Sequence, residues 1–119
     1  MQIAPKNFYK KLLGRNGELK AVNYLKRKGY KILDKNYQTP FGEADIICSY
    51  NGEIVFVEVK TRTSEKFGLP KEAVDSKKQE KYRKIASYYI LTNKLEDVSV
   101  SFLVVEILKG QINVIENAF

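Results

Sequence analysis

The chain contains no histidine. That removes Ser-His and Cys-His nucleophilic pairs, histidine general bases and histidine-ligated metal sites from consideration. Its one cysteine, Cys48, is too few for an internal disulfide or a thiolate zinc site. It reads as a small core residue. Neither GxxxxGK[ST] nor GxGxxG occurs, so no phosphate-cradling nucleotide motif is available. No apolar run approaches the roughly 18 residues of a membrane span. The opening MQIAPKNFYKK lacks the apolar core of a signal peptide. A cytoplasmic location with no membrane partner is the default expectation. Chemistry is left to carboxylates and lysines, and any metal must be held by oxygen ligands, which suits Mg²⁺ or Mn²⁺.

What is present is ordinary in amount and skewed in sign. The 119 residues are 44% hydrophobic and 29% charged, which suits one domain, 1–119, with its own core. The net charge is +7. Such a charge fits a polyanionic partner, most simply nucleic acid, and equally fits a surface that is merely basic.

The pattern along the chain alternates between periods of 3.6 and 2. Residues 1–13 are an N-terminal extension or helix, and Gly14 and Gly17 mark a loop or a loosened helix joint. From Glu18 the spacing predicts a helix with Ala21, Val22 and Leu25 on its apolar stripe and Gly29 closing it. Glu18 stands in line with that stripe. Tyr30 to Leu33 is a short strand, and Asp34 to Gly42 reads as a loop around Pro40. Thr61 to Pro70 is a second loop, and PKEAV a short turn. Lys77 to Leu91 predicts a helix with Tyr82, Ile85, Ala86, Tyr89 and Ile90 inward, led by Gln79. Lys77, Lys78, Lys81 and Lys84 form its basic ridge. Val98 to Leu108 and Gln111 to Ile115 are strands joined at Lys109-Gly110. The fold class is α/β. The order α-β-β-β-α-β-β gives a mixed five-stranded sheet flanked by helices, with a right-handed parallel crossover through the second helix.

The centre is the stretch Gly42 to Lys60, two apolar runs around Asn51-Gly52. Asn-Gly is the strongest short-range hairpin signal. A two-residue turn there sets Ile47 opposite Phe56, Ile46 opposite Val57, Asp45 opposite Glu58 and Glu43 opposite Lys60. Opposed residues share a face, with Cβ atoms about 4.5–5.5 Å apart. Ile47, Ile54 and Phe56 then line one face. Ala44, Ile46, Cys48, Val55, Val57 and Val59 line the other. Both faces are apolar, so both should be covered. One face ends in Glu43, Asp45, Glu58 and Lys60.

Two carboxylates on neighbouring strands can clamp a hard divalent cation, with the Val59 carbonyl, water and a phosphate oxygen completing the shell. Lys60 could orient or deprotonate the attacking water and steady charge on a scissile phosphate. Glu18 could reach the metal directly or through water. The competing view is a surface charge ladder with Glu43–Lys60 and Glu58–Lys60 ion pairs. The register, the doubly covered sheet, and the aim of Glu18 and Gln79 favour a site.

Asp45 followed by Glu58-Val59-Lys60 resembles the D…(D/E)xK signature of the PD-(D/E)xK nucleases, with Ala44 where that signature has proline. More widely, GRNGELKAVNYLKRKGYKIL, NYQTPFGEADII, FVEVKTR and FG with EAVDSKK resemble the YraN-like family of small bacterial proteins across residues 14–107. That family is thought similar in fold to archaeal Holliday-junction resolvases. The resemblance implies a restriction-endonuclease-like fold, metal ligands Glu18, Asp45 and Glu58, and Lys60 as catalytic lysine. It also implies a supporting place for Gln79, while Glu43 is a supporting candidate by its register opposite Lys60. Gln38 and Leu103 depart from the family pattern, in which Arg often follows Asn-Tyr and Arg-Phe-Asp lies on the fourth strand.

The expected function is therefore metal-dependent endonucleolytic cleavage of DNA, branched DNA being the analogy. Lys66, Lys71, Lys77, Lys78, Lys81 and Lys84 would hold the backbone. A homodimer would suit a two-fold junction, although no seam is legible. The alternatives are a non-catalytic nucleic-acid-binding module on a nuclease fold and a basic interaction domain.

Overall fold

The computed structural model describes residues 6–62 and 76–116, with side chains from residue 16 onward. Helix α1 (Lys6–Arg27) leads into strands β1 (Lys31–Thr39), β2 (Gly42–Tyr50) and β3 (Glu53–Arg62). Helix α2 (Ser76–Thr92) is followed by β4 (Ser99–Leu108) and β5 (Gln111–Glu116). The five strands form one sheet in chain order, with β3 and β4 parallel and the other neighbours antiparallel. This is the mixed sheet the sequence pattern predicts.

Two hairpins are set by local chemistry. Asn51 and Gly52 both take positive φ, 50° and 78°, and Lys109 and Gly110 repeat this at 51° and 80°. Paired positive φ values are those of the type I′ turn, whose twist matches that of the flanking strands. The first turn fixes Ile47 against Phe56 and Ile46 against Val57, as its length requires.

Each sheet face is covered by one helix, because the hairpin is apolar on both sides. Ala21, Val22 and Leu25 of α1 pack with Ile46, Cys48, Val55, Val57, Leu103, Val105 and Ile107. Tyr82, Ile85 and Ala86 of α2 pack with Ala44, Ile47 and Phe56. Cys48 is buried, and burial pushes its thiol up to about 12. A core role follows from that. Gly17 brings α1 close onto β3: a Cβ built there would lie 2.1 Å from Thr61 Oγ1.

Three expectations from the sequence are corrected. Helix α1 begins at Lys6 rather than near Glu18, so Gly14 and Gly17 lie within it. Gly17 is used for close packing rather than for a joint. The segment Asp34–Thr39 is strand rather than loop, turning at Pro40-Phe41 into β2. Polar residues can sit there because β1 is an edge strand with four successive exposed residues, Leu33–Asn36. Its register shifts between Ile32 and Asp34, which makes Leu33 the extra residue of a bulge.

The third correction concerns Ala44. Ile46 belongs to the α1 layer, whereas Ala44 and its partner Tyr37 belong to the α2 layer. Strict alternation would put Ala44 and Ile46 on the same face. Both strands therefore change face between the Lys35–Ile46 and Tyr37–Ala44 pairs. The residues at that step are Asn36, with φ of 52°, and Asp45. The expected turn at Pro70, and Lys66 and Lys71, lie outside the described residues.

Candidate active site

The β2–β3 ladder runs from Tyr50–Glu53 to Ile46–Val57 and stops there. One step further, the Val59 N–H donates to Asp45 Oδ2 at 2.8 Å. The side chain takes the place of a strand carbonyl, and the strands open. Asp45 and Glu58, and likewise Glu43 and Lys60, are therefore not the ladder partners that the turn arithmetic predicts, although Asp45 stays close enough to Glu58 to feel its charge. The cause is the change of face at Asp45. Its carboxyl is pushed up to about 7, first by burial and then by Glu58, with Glu18 and Glu43 adding and the Val59 amide opposing.

Glu58 ends the α2-facing row of β3 that includes Ile54 and Phe56, and only 8% of its surface is exposed. Such a carboxylate needs partners. Lys78 Nζ donates to Oε1 at 2.7 Å, and the Tyr82 hydroxyl donates to Oε2. Lys78 and Tyr82 are four apart on α2, one helical turn, so a single face presents both donors. Burial works against the Lys78 charge, yet the hydrogen bond and charge of Glu58 hold its pKa above the usual value. Burial and then the Glu58 charge raise that of Tyr82.

Lys60 is two residues on, on the same face and beside Glu106 in the parallel register. Burial lowers its pKa, and the Lys78 ammonium lowers it further against the pull of Glu58. Two lysines thus meet at the carboxylates. Glu58 pairs with Lys78, where the competing charge-ladder view would pair it with Lys60. Beyond them, Arg62 faces Glu106 at 3.8 Å, both buried.

Glu18 and Glu43 are gathered by a residue the sequence reading passed over. With its amide nitrogen toward them, Asn36 donates to Glu43 Oε1 at 2.9 Å and to the two Glu18 oxygens at 3.2 and 3.1 Å. Burial raises the Glu18 pKa, Asn36 lowers it, and Glu43 raises it again. The signal for Asn36 is its residue type: asparagine tolerates positive φ and carries a two-donor amide. Tyr82 was read only as core, since no periodicity reports a hydroxyl partner.

Gln79 is half-buried in the first turn of α2, beside Lys78. The basic ridge divides. Lys78 turns to Glu58, while Lys77 and Lys84 stay exposed and Lys81 lies half-buried with its ammonium 5.2 Å from the Tyr82 ring centre.

Asp45 and Glu58 carry the kind of oxygen donors that a hard divalent cation takes. Asp45 and Glu58 would hold it, with Glu18 and Glu43 nearby, and a cation would offset the repulsion from these carboxylates that adds to burial in raising the Asp45 pKa. Among the described residues, no three His, Cys, Asp or Glu side chains converge closely enough to hold a metal ion in this arrangement. Glu58 is committed to Lys78 and Tyr82, so a cation would have to displace Lys78 from it.

Comparison with known proteins gives consistent kinship. A UPF0102 protein of Alkaliphilus oremlandii is 50% identical over 115 residues, covering 92% of this chain and 98% of its own. One from Caldanaerobacter subterraneus is 46% identical over 121 residues, covering 96% and 99%. Among solved structures, a protein designated SSO0001 matches with a TM-score of 0.47 and 21% identity. That match covers 91% of this chain, which spans about half the length of that one, 52%. No helix among the described residues is long and apolar enough to cross a membrane. The signature of the uncharacterised protein family UPF0102 matches residues 17–109, and the chain, as its YraN-like motifs suggest, belongs to that family.

Proposed function

We propose that this protein is a divalent-cation-dependent endonuclease acting on DNA phosphodiesters. The observation that supports the reading is the end of the β2–β3 ladder at Ile46–Val57, beyond which Asp45 accepts from the Val59 amide and couples electrostatically to Glu58, as Glu58 does to Lys60. A bound Mg²⁺ or Mn²⁺ supplies charge to the phosphate and acidity to the attacking water. Asp45 and Glu58 would hold that cation once Lys78 leaves the Glu58 oxygen it occupies. Lys60, its pKa lowered by burial and Lys78, steadies the developing negative charge and can pass a proton. Glu18 and Glu43, kept in place by Asn36, orient water around the site. The +7 charge and the α2 lysines favour a polyanionic substrate. DNA rather than RNA, and branched rather than linear DNA, follow the resemblance to resolvases.

The test is cleavage of single-stranded, duplex, flap and four-way DNA with Mg²⁺ and with Mn²⁺. Asp45→Ala, Glu58→Ala and Lys60→Ala should each abolish cutting and largely spare DNA affinity. Full cutting by Lys60→Ala would overturn the roles assigned.

A second reading is a non-catalytic nucleic-acid-binding module. It is favoured by one observation, the engagement of both Glu58 oxygens by Lys78 and Tyr82. Calorimetry separates the two: no Mn²⁺ uptake, with salt-sensitive DNA binding retained, selects the module.

A further inference from the structure

The tip of the β1–β2 hairpin carries an aromatic ring with no place in the core. Phe41 is 47% exposed, and Pro40 before it is exposed too. The tip rests on α2. The Phe41 ring meets the edge of Tyr88, with centroids 6.3 Å apart and planes at 75°. Lys84 Nζ lies 5.9 Å from the Phe41 ring centre. At Gly42, φ is 133°, and a Cβ would come within 2.8 Å of Lys81 Cδ. Glycine suits that φ, and any other residue would also have to push the lysine stem aside.

The helix face beneath the tip is basic. Lys77, Lys81, Lys84 and Tyr88 follow one another at four, three and four residues, so they share a stripe. Lys78, one residue off the stripe, reaches Glu58. From Lys78 to Tyr88 the helix axis covers roughly 15 Å. From Phe41 to Asp45 the strand covers roughly 13 Å. Two independent paths thus place the ring at a similar distance from the carboxylates, with ammonium groups along one of them.

We propose that Phe41 is a stacking platform for an unpaired base of a nucleic-acid strand whose phosphates follow Lys77, Lys81 and Lys84. The proposal rests on the nucleic-acid reading above and adds a preference to it. Aromatic faces bind any base, but only a base whose own face is uncovered. A continuous duplex offers none, whereas a single strand, flap or junction does. Cationic side chains beside an aromatic ring are the usual composition of single-strand sites.

The chain has no tryptophan, so Phe41→Trp introduces a lone indole at the proposed contact. The probes are an oligothymidylate and a relaxed, covalently closed circular duplex, at low salt and without added metal. Oligothymidylate should quench the introduced indole, and the closed duplex should not. Phe41→Ala should weaken oligothymidylate binding about 5- to 100-fold and closed-duplex binding less than 2-fold. Oligothymidylate binding by anisotropy with unchanged indole emission, and an unchanged single-strand-to-duplex ratio in Phe41→Ala, would overturn the platform alone. Absence of binding to either probe by the unsubstituted protein would overturn the nucleic-acid reading and the platform with it.

Discussion

Asp45 Oδ2 accepts the Val59 amide proton at 2.8 Å, at the step where the β2–β3 backbone ladder ends. The carboxylate is thus under two opposing influences. The amide needs an acceptor. Burial first, and then the neighbouring carboxylates, disfavour a charge.

Asp45→Asn keeps an acceptor and removes the charge. In the wild type, the raised Asp45 pKa means that the folded chain holds a proton the unfolded chain has released. This contribution to stability is full below the unfolded value near 4 and is lost as pH rises through about 7. In metal-free protein, urea midpoints should therefore fall across that window. Asp45→Asn should flatten the fall and exceed wild type at pH 8, while Asp45→Ala, which strands the Val59 amide, should cost about 1–3 kcal/mol. A wild-type profile that rises between pH 4 and 7, unless other carboxylates are shown to cause it, contradicts the assignment.

Lys78 occupies the Glu58 oxygen that a cation would take. Lys78→Gln should cost about 1–3 kcal/mol of stability, since it weakens the partner of a buried carboxylate. It should also tighten Mn²⁺ binding, because an internal competitor is gone. Calorimetric titration of both proteins decides the point, and weaker Mn²⁺ uptake by the variant would show that Lys78 positions Glu58 instead of competing for it.

Asn36 combines a positive φ with the amide that joins Glu18 to Glu43. Glycine tolerates that backbone, whereas alanine adds strain of about 1 kcal/mol. Asn36→Gly should therefore nearly preserve the melting temperature and lose most metal-dependent cleavage. Asn36→Ala should lose both. Equal melting losses in the two variants would deny the backbone role.

The elements governed by turn chemistry and hydrophobic period were legible in the sequence. Asn51-Gly52 set the register through Ile46–Val57, and the stripe of Tyr82, Ile85 and Ala86 faces the sheet as its spacing requires. What failed were features decided by tertiary contact. Asp34–Thr39 looks like loop because its polarity is that of an edge strand, and edge position is a property of the assembled sheet. The reversal of face at Asn36 and Asp45 has no periodic signature at all. Its result is a site whose residue types were readable from a signature while their partners were not. Lys78 looked like one more surface lysine, and Tyr82 like one more core ring.

Gly17 and Thr61 carry no charge, yet each adjoins a charged member of the site, Glu18 and Lys60. Where α1 crosses β3 there is no room for even one more carbon at position 17. Their contact works as a gauge block between two halves of the proposed site: the helix half cannot lift without carrying Glu18 away from the strand half. A lineage could keep every acid and lysine and still lose the site by gaining a single methyl group at this crossing.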